Sequence, residues 1–246
     1  MRVLNNYISL QWTHSLKLML MKITRFFFIG LLCLCAVYSC DKEKLDVVDD
    51  VCTKMDDINF MDYCYRNFDV NKDGAVSMTE ASAVKEIEVT KKNISSLKGI
   101  EYFTQLTSLT CNGNQITSLD ISKNTQLAYL NCISNQLSSL DISKNPLLAD
   151  LYCSNNMLTS LDLSKHTALL DLQCENNSIP SLDISNTSIA FVGFYGYLSS
   201  RRCVYAQHEY MVLYLTQSQY DETLRYYGSK QAEYYFQFSN VEPIIR

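Results

Sequence analysis

Glycine is scarce in this chain, seven among 246 residues, so there is no phosphate-cradling glycine loop and little material for the sharp elbows that raise a catalytic nucleophile. Histidine is scarcer. Beyond the first forty residues only His166 and His208 occur, the former in a variable turn where sister segments carry Thr125 and Pro146. No set of nucleophile, base and orienting group presents itself, and no zinc-ligand spacing either. An enzyme is therefore the remote alternative. Runs of lysine or arginine are also missing. Four of the 21 basic residues and none of the 26 acidic ones fall in the first forty positions, which leaves a body of formal charge −9. A surface of that sign repels phosphate backbones and excludes nucleic acid as a partner, while cations suit it.

The first forty residues differ in kind from the rest. Lys22 and Arg25 precede the apolar run from Phe26 to Val37, which is too short to cross roughly 30 Å of hydrocarbon comfortably and has the form of a signal peptide. The run ends Val37-Tyr38-Ser39-Cys40, which resembles a bacterial lipobox. That resemblance implies that Cys40 carries a diacylglycerol and becomes the N-terminus, with Tyr38 bulkier than the family's usual residue. The alternative is an ordinary cleaved signal with Cys40 as a bystander. Residues 1–20 add nothing recognisable, and Met21 is the expected start. Residues 41–50 read as a charged tether. Similar tracts occur in surface lipoproteins of Gram-negative bacteria, which implies a secreted, lipid-anchored protein of the outer membrane or cell surface. An aspartate after the lipid cysteine also marks inner-membrane retention, so the choice of membrane stays open.

From Asp69 to Glu80 the chain satisfies D-x-[DN]-x-[DN]-G-x5-E without exception. A hard cation needs six or seven oxygens, and this spacing supplies them from Asp69, Asn71, Asp73, the Ala75 carbonyl, Ser77 and a bidentate Glu80, with Gly74 at the bend. Phe60, Met61, Cys64 and Phe68 before the loop, and Ala81, Val84 and Ile87 after it, recur at helical spacing. Residues 51–88 thus resemble an EF-hand binding one structural Ca2+. A partner loop is missing, and modest affinity is expected.

Four segments align without gaps at a period of 21: residues 106–126, 127–147, 148–168 and 169–189. Each reads L-x-x-L-x-C-x-x-N-x-[IL]-x-x-L-x-[IL], which resembles the leucine-rich repeat in a short, internalin-like version over residues 84–195. The expected class is α/β: a solenoid of short parallel strands with a mostly irregular convex side. The calcium unit forms a helical N-terminal cap, and a tyrosine-rich strand-helix-strand cap occupies 196–246. No coil can bury its own apolar side, so stacking makes the core. Leu109 and Cys111 point inward between outward Ser108, Thr110 and Asn112. The asparagines at 114, 135, 156 and 177 are expected to bond backbone groups at non-helical bends. Cys111, Cys132, Cys153 and Cys174 read as small buried hydrophobes, and Asp120, Asp141, Asp162 and Asp183 as Asx-turn residues. A Cys52–Cys64 disulfide is conceivable, though one continuous helix would hold the two apart.

In the tail, Val192 and Phe194 mimic a further coil, Tyr210 to Leu215 reads as a strand, and Thr216 with Gln219 opens a helix that Gly228 closes before a last strand at Tyr234 to Phe238. The resemblance implies a binding module whose concave face meets a protein or glycan. Its outward residues include Tyr129, Asn131, Asp150, Tyr152, Ser154, Asp171, Gln173 and Glu175, with the two tyrosines as the anchor. The competing reading is a structural or assembly subunit of the bacterial envelope.

Overall fold

The structure, a computed structural model, describes residues 49–189, 191–193, 203–205, 211–227 and 241–246. All of them belong to one compact unit, Val48–Arg246. Cys40, Phe194, Gly228 and the strand expected at Tyr234 to Phe238 lie outside the described residues. A 3-10 turn (Val51–Lys54) leads into α1 (Ile58–Phe68), and the 69–80 loop leads into α2 (Met78–Ala83). The first strand, β1 (Glu86–Glu88), follows at once. Then come β2 (Ser108–Thr110), β3 (Tyr129–Asn131), β4 (Asp150–Tyr152), β5 (Asp171–Gln173) and β6 (Ser181–Asp183). β7 (Phe191–Gly193), β8 (Cys203–Tyr205), β9 (Met211–Leu215), α3 (Gln217–Tyr227) and β10 (Val241–Ile245) complete the chain.

β1 to β5 are parallel, each aligned with the equivalent residues of the next coil: Leu109 pairs with Leu130, Leu130 with Leu151, and Leu151 with Leu172. These leucines have no exposed surface, nor have Ile116 and Ile121 on the returning side of the second coil. Truncating one to alanine would cost about 3 kcal/mol. The cysteine column is equally buried and reduced, and burial pushes Cys132 and Cys174 up to about 12. These thiols pack as hydrophobes.

The asparagine column closes each coil onto its neighbour. Asn135 donates from Nδ2 to the carbonyls of Cys111 and Cys132, both at 3.0 Å, and its Oδ1 accepts from the Ile116 amide at 3.1 Å. Asn156 and Asn177 repeat the pattern. The residue before each ladder asparagine is left-handed, with φ of 69° at Gly113, 56° at Ser134 and Asn155 and 55° at Asn176. That twist turns the chain off the strand and aims the next side chain inward.

A second buried column went unread in the sequence. Asn124 donates to Ile100 and Phe103, and Asn145 to Ile121 and Asn124. His166 belongs to this column, one position earlier than the turn residues Thr125 and Pro146 with which it was grouped. It is 1% exposed, its Nε2 lies 3.0 Å from the Ile142 carbonyl, and its Nδ1 is buried with no hydrogen-bond partner. A carbonyl accepts only from an N–H, so the proton sits on Nε2.

Two expectations are corrected at the ends. The second helix stops at Ala83: Val84 is extended, and Ile87 is the buried centre of β1, whose flanks are exposed. Its coincidence with helical spacing misled, because the chain enters the sheet there. At the far end β8, and not β7, pairs with β5, giving the order β1-β2-β3-β4-β5-β8-β7. The strand and capping box expected near 215 are present: the Thr216 amide donates to Gln219 Oε1 at 2.8 Å, and the Gln219 amide to Thr216 Oγ1 at 3.2 Å. β9 and β10 are parallel and join β6 in a separate three-stranded sheet.

Candidate functional site

Hydrogen bonds of the parallel ladder continue one residue pair past each strand, so three rows of side chains cross the open face of the sheet. Examples are the amides of Gly113, Ser134 and Asn155, which donate to Ile133, Ser154 and Glu175. The first row is Glu86, Ser108, Tyr129, Asp150 and Asp171. The second is Glu88, Thr110, Asn131, Tyr152 and Gln173. The third is Thr90, Asn112, Ile133, Ser154 and Glu175. Five acids stand in these rows and no lysine or arginine does.

Tyr129 and Tyr152 meet edge to face with ring centroids 5.5 Å apart. The Tyr152 hydroxyl donates to Asp171 Oδ2 at 3.1 Å. Burial and the Asp171 carboxylate push the Tyr152 phenol well above its ordinary range, so it remains a donor. The expected contact set needs two corrections. Asp171 is only 6% exposed and lies beneath Tyr152, so it orients that ring more than it meets solvent. Ser154 is fully buried with an unpartnered hydroxyl, while Asn112, Ile133 and Glu175 at the same position of the sister coils stay half-buried. Tyr129, Asn131, Asp150, Tyr152, Gln173 and Glu175 are half-buried on the face, as expected of strand residues with one open side.

The 69–80 loop is the second candidate. Gly74 takes φ 86° and Lys72 φ 60°. Asp69 Oδ2 accepts from the Gly74 amide, Asn71 Oδ1 from Asp73, and Asp73 Oδ1 from Ala75, all at 2.9 to 3.0 Å. Ser77 caps α2 in a reciprocal box with Glu80. Glu80 Oε1 accepts from Val70 and Asn71 and Oε2 from Ser77, and these bonds, Ser77's foremost, lower its carboxyl below the ordinary range despite some burial. Among the described residues no three His, Cys, Asp or Glu side chains converge to hold a metal ion. The donors are nonetheless all oxygen, and Asp69 Oδ1 is buried with no hydrogen-bond partner, which a hard cation would supply.

Backbone partners for the loop come from an unexpected place. The Val51 amide donates to the Val76 carbonyl at 2.9 Å, and the Val76 amide to Asp50 Oδ1 at 3.1 Å. Asp50, assigned by sequence to the tether, also accepts from Cys52 and from the Tyr65 hydroxyl, and so ties the strap to the loop and to α1. Asp57 does the equivalent job toward the solenoid. Its Oδ1 caps α1 through the Asn59 and Phe60 amides, and its Oδ2 accepts from the Ser95 amide and hydroxyl at 2.7 and 2.8 Å. An aspartate just before an apolar helical run is a legible cap signal. Asp50 caps its own turn through the Cys52 amide, but its bonds to Tyr65 and Val76 reach 15 and 26 residues along the chain and leave no local signal.

No protein-family model and no curated protein matches the chain. Among solved structures it is similar to the functional domain of InlJ from Listeria monocytogenes, described as including a cysteine ladder. Identity is 32% with a TM-score of 0.55, over 58% of this chain and 32% of that one. An internalin (inlF) of the same organism aligns at 18% identity and a TM-score of 0.44, over 71% of this chain and 62% of that one. The chain thus spans about a third of the InlJ structure it matches. The in-register 21-residue coils and this likeness together give the chain a leucine-rich-repeat fold.

Proposed function

We propose that this is an exported, lipid-anchored recognition protein whose concave sheet binds a protein ligand through a basic surface, with one Ca2+ structurally bound at the N-terminal end. The observation that carries the reading is the open face from β1 to β5: five acids and no lysine or arginine in its rows, one of those acids, Asp171, holding the aromatic pair from below. Rigid aromatics anchor interfaces at low entropic cost, and an acidic field steers and selects cationic partners. Cys40 would hold the domain at the membrane through its lipid, with 41–48 as spacer. No described helix is long and apolar enough to cross a membrane. Ca2+ would be held by Asp69, Asn71, Asp73, Ala75, Ser77 and Glu80, and it would supply charge neutralisation that stiffens the loop.

The test is binding of a lysine-rich peptide to the full chain, against a glutamate-rich peptide and neutral glycans as comparators. The lysine peptide should bind, with affinity falling as salt rises. Tyr129→Ser with Tyr152→Ser should lower that affinity tenfold or more while the melting temperature stays put. Equal affinity in the variant, or preference for the glycans, overturns the reading. Protection of the protein from protease on intact cells would favour the envelope-assembly role instead.

A further inference from the structure

We infer that Cys52 and Cys64 are a disulfide-forming pair whose bond pins the Asp50–Val51 strap onto the 69–80 loop. The two are reduced here and wholly buried in one core. Sequence spacing sets them apart on one continuous helix, but the structure has none: Cys52 sits in the Val51–Lys54 turn, Asp57 caps a separate helix, and that helix, α1, carries Cys64 and packs against the turn. The flanking residues are already joined, since the Tyr65 hydroxyl donates to Asp50 Oδ2. Burial foremost, and then the neighbouring Cys52 thiol, push the Cys64 thiol up.

A small disulfide of the glutathione type is the oxidant. One cysteine thiolate attacks it, forming a mixed disulfide and releasing one thiol. The second thiolate then attacks the protein sulfur of that intermediate, so the Cys52–Cys64 bond forms and a second thiol leaves. Two electrons pass to the oxidant, and the two cysteine protons end on the released thiols. Both sulfurs are out of solvent once folded, so exchange precedes docking of the strap, and the finished bond is shielded from reductant. The consequence reaches the loop because the strap supplies the partners of both Val76 backbone groups, the Val51 amide and the Asp50 carboxylate.

The full chain, reduced and unfolded, is refolded in a mixture of oxidised and reduced glutathione, alkylated, digested without reduction and mapped by mass spectrometry. The expected product is a Cys52–Cys64 linked peptide lighter by two hydrogens, with the ladder cysteines alkylated. Alkylation of both Cys52 and Cys64, or pairing of either with another cysteine, overturns the assignment. Hydrogen exchange then reads the pin: the Val51 and Val76 amides should exchange at least tenfold more slowly in the oxidised protein, and equal rates overturn it. In the cell the bond depends on the export proposed above. Refolding in vitro does not, so the two ideas fail separately.

Discussion

The repeats and the N-terminal unit face one physical problem, backbone groups left unpaired at irregular bends, and meet it in different ways. In the solenoid the remedy is written once and copied: an inward asparagine in each coil bonds its own coil and the one before it. In the N-terminal unit it falls to two single-copy aspartates, Asp50 within the unit and Asp57 toward the first coil. Repetition makes a structural role visible as a column. A residue used once, whose partners are remote in sequence, leaves no such trace.

The largest effect that would sharpen this contrast is Asn135→Ala, which strands the Ile116 amide inside the solenoid and takes one of two asparagine donors from each of the Cys111 and Cys132 carbonyls. A loss of about 3 kcal/mol is expected in denaturant unfolding. Less than 1 kcal/mol would mean the column is ornamental. Next comes Asp57→Ala, with an expected loss of about 2 kcal/mol from the cap and the Ser95 bonds. Hydrogen exchange should place that loss in α1 and the first coil and spare residues 127–189. Uniform loosening would erase the distinction between the regions.

Acid should separate them as well. Burial raises the Asp57 carboxyl, but the hydrogen bonds from Ser95, Phe60 and Asn59 outweigh it and hold the group below its ordinary value. A depressed folded-state value means the contribution is fully present above the unfolded carboxylate range, near about 4, and is lost as pH falls through the lower folded value. Asp120, Asp141 and Asp162 in the repeats are lowered too but are exposed, so their share is screened by solvent; the N-terminal unit should therefore loosen first on acidification, and Asp57→Asn should flatten that part of the profile. The smallest effect belongs to Ser134, the one serine among the left-handed positions of the ladder turns. Ser134→Gly should raise stability by about 0.5 to 1 kcal/mol in chemical denaturation.

Most of the solenoid was legible because its period repeats the same physics four times: inward leucines, the cysteine and asparagine columns, and the Asx turns in which Asp120, Asp141, Asp162 and Asp183 each accept from the amide two residues on. His166 was misplaced by one position, although the same period links it to Asn124 and Asn145. The helical spacing of Ala81, Val84 and Ile87 misled because three apolar residues at i+3 fit a short helix followed by a strand equally well. On the open face of the sheet alternation identified Tyr129 and Tyr152. It could not show that Asp171 would be covered, since that depends on a neighbouring ring, nor that Ser154 would be buried where its counterparts in the sister coils are not.

The claim that matters most is that the acidic sheet is the working surface. Hydrogen exchange of the full chain with and without saturating lysine-rich peptide tests it directly. Slowed exchange at residues 129–133, 150–152 and 173–175, with residues 119–125 and 140–146 on the opposite side unchanged, is the predicted pattern. Protection confined to those opposite turns, or none under saturation, would contradict it.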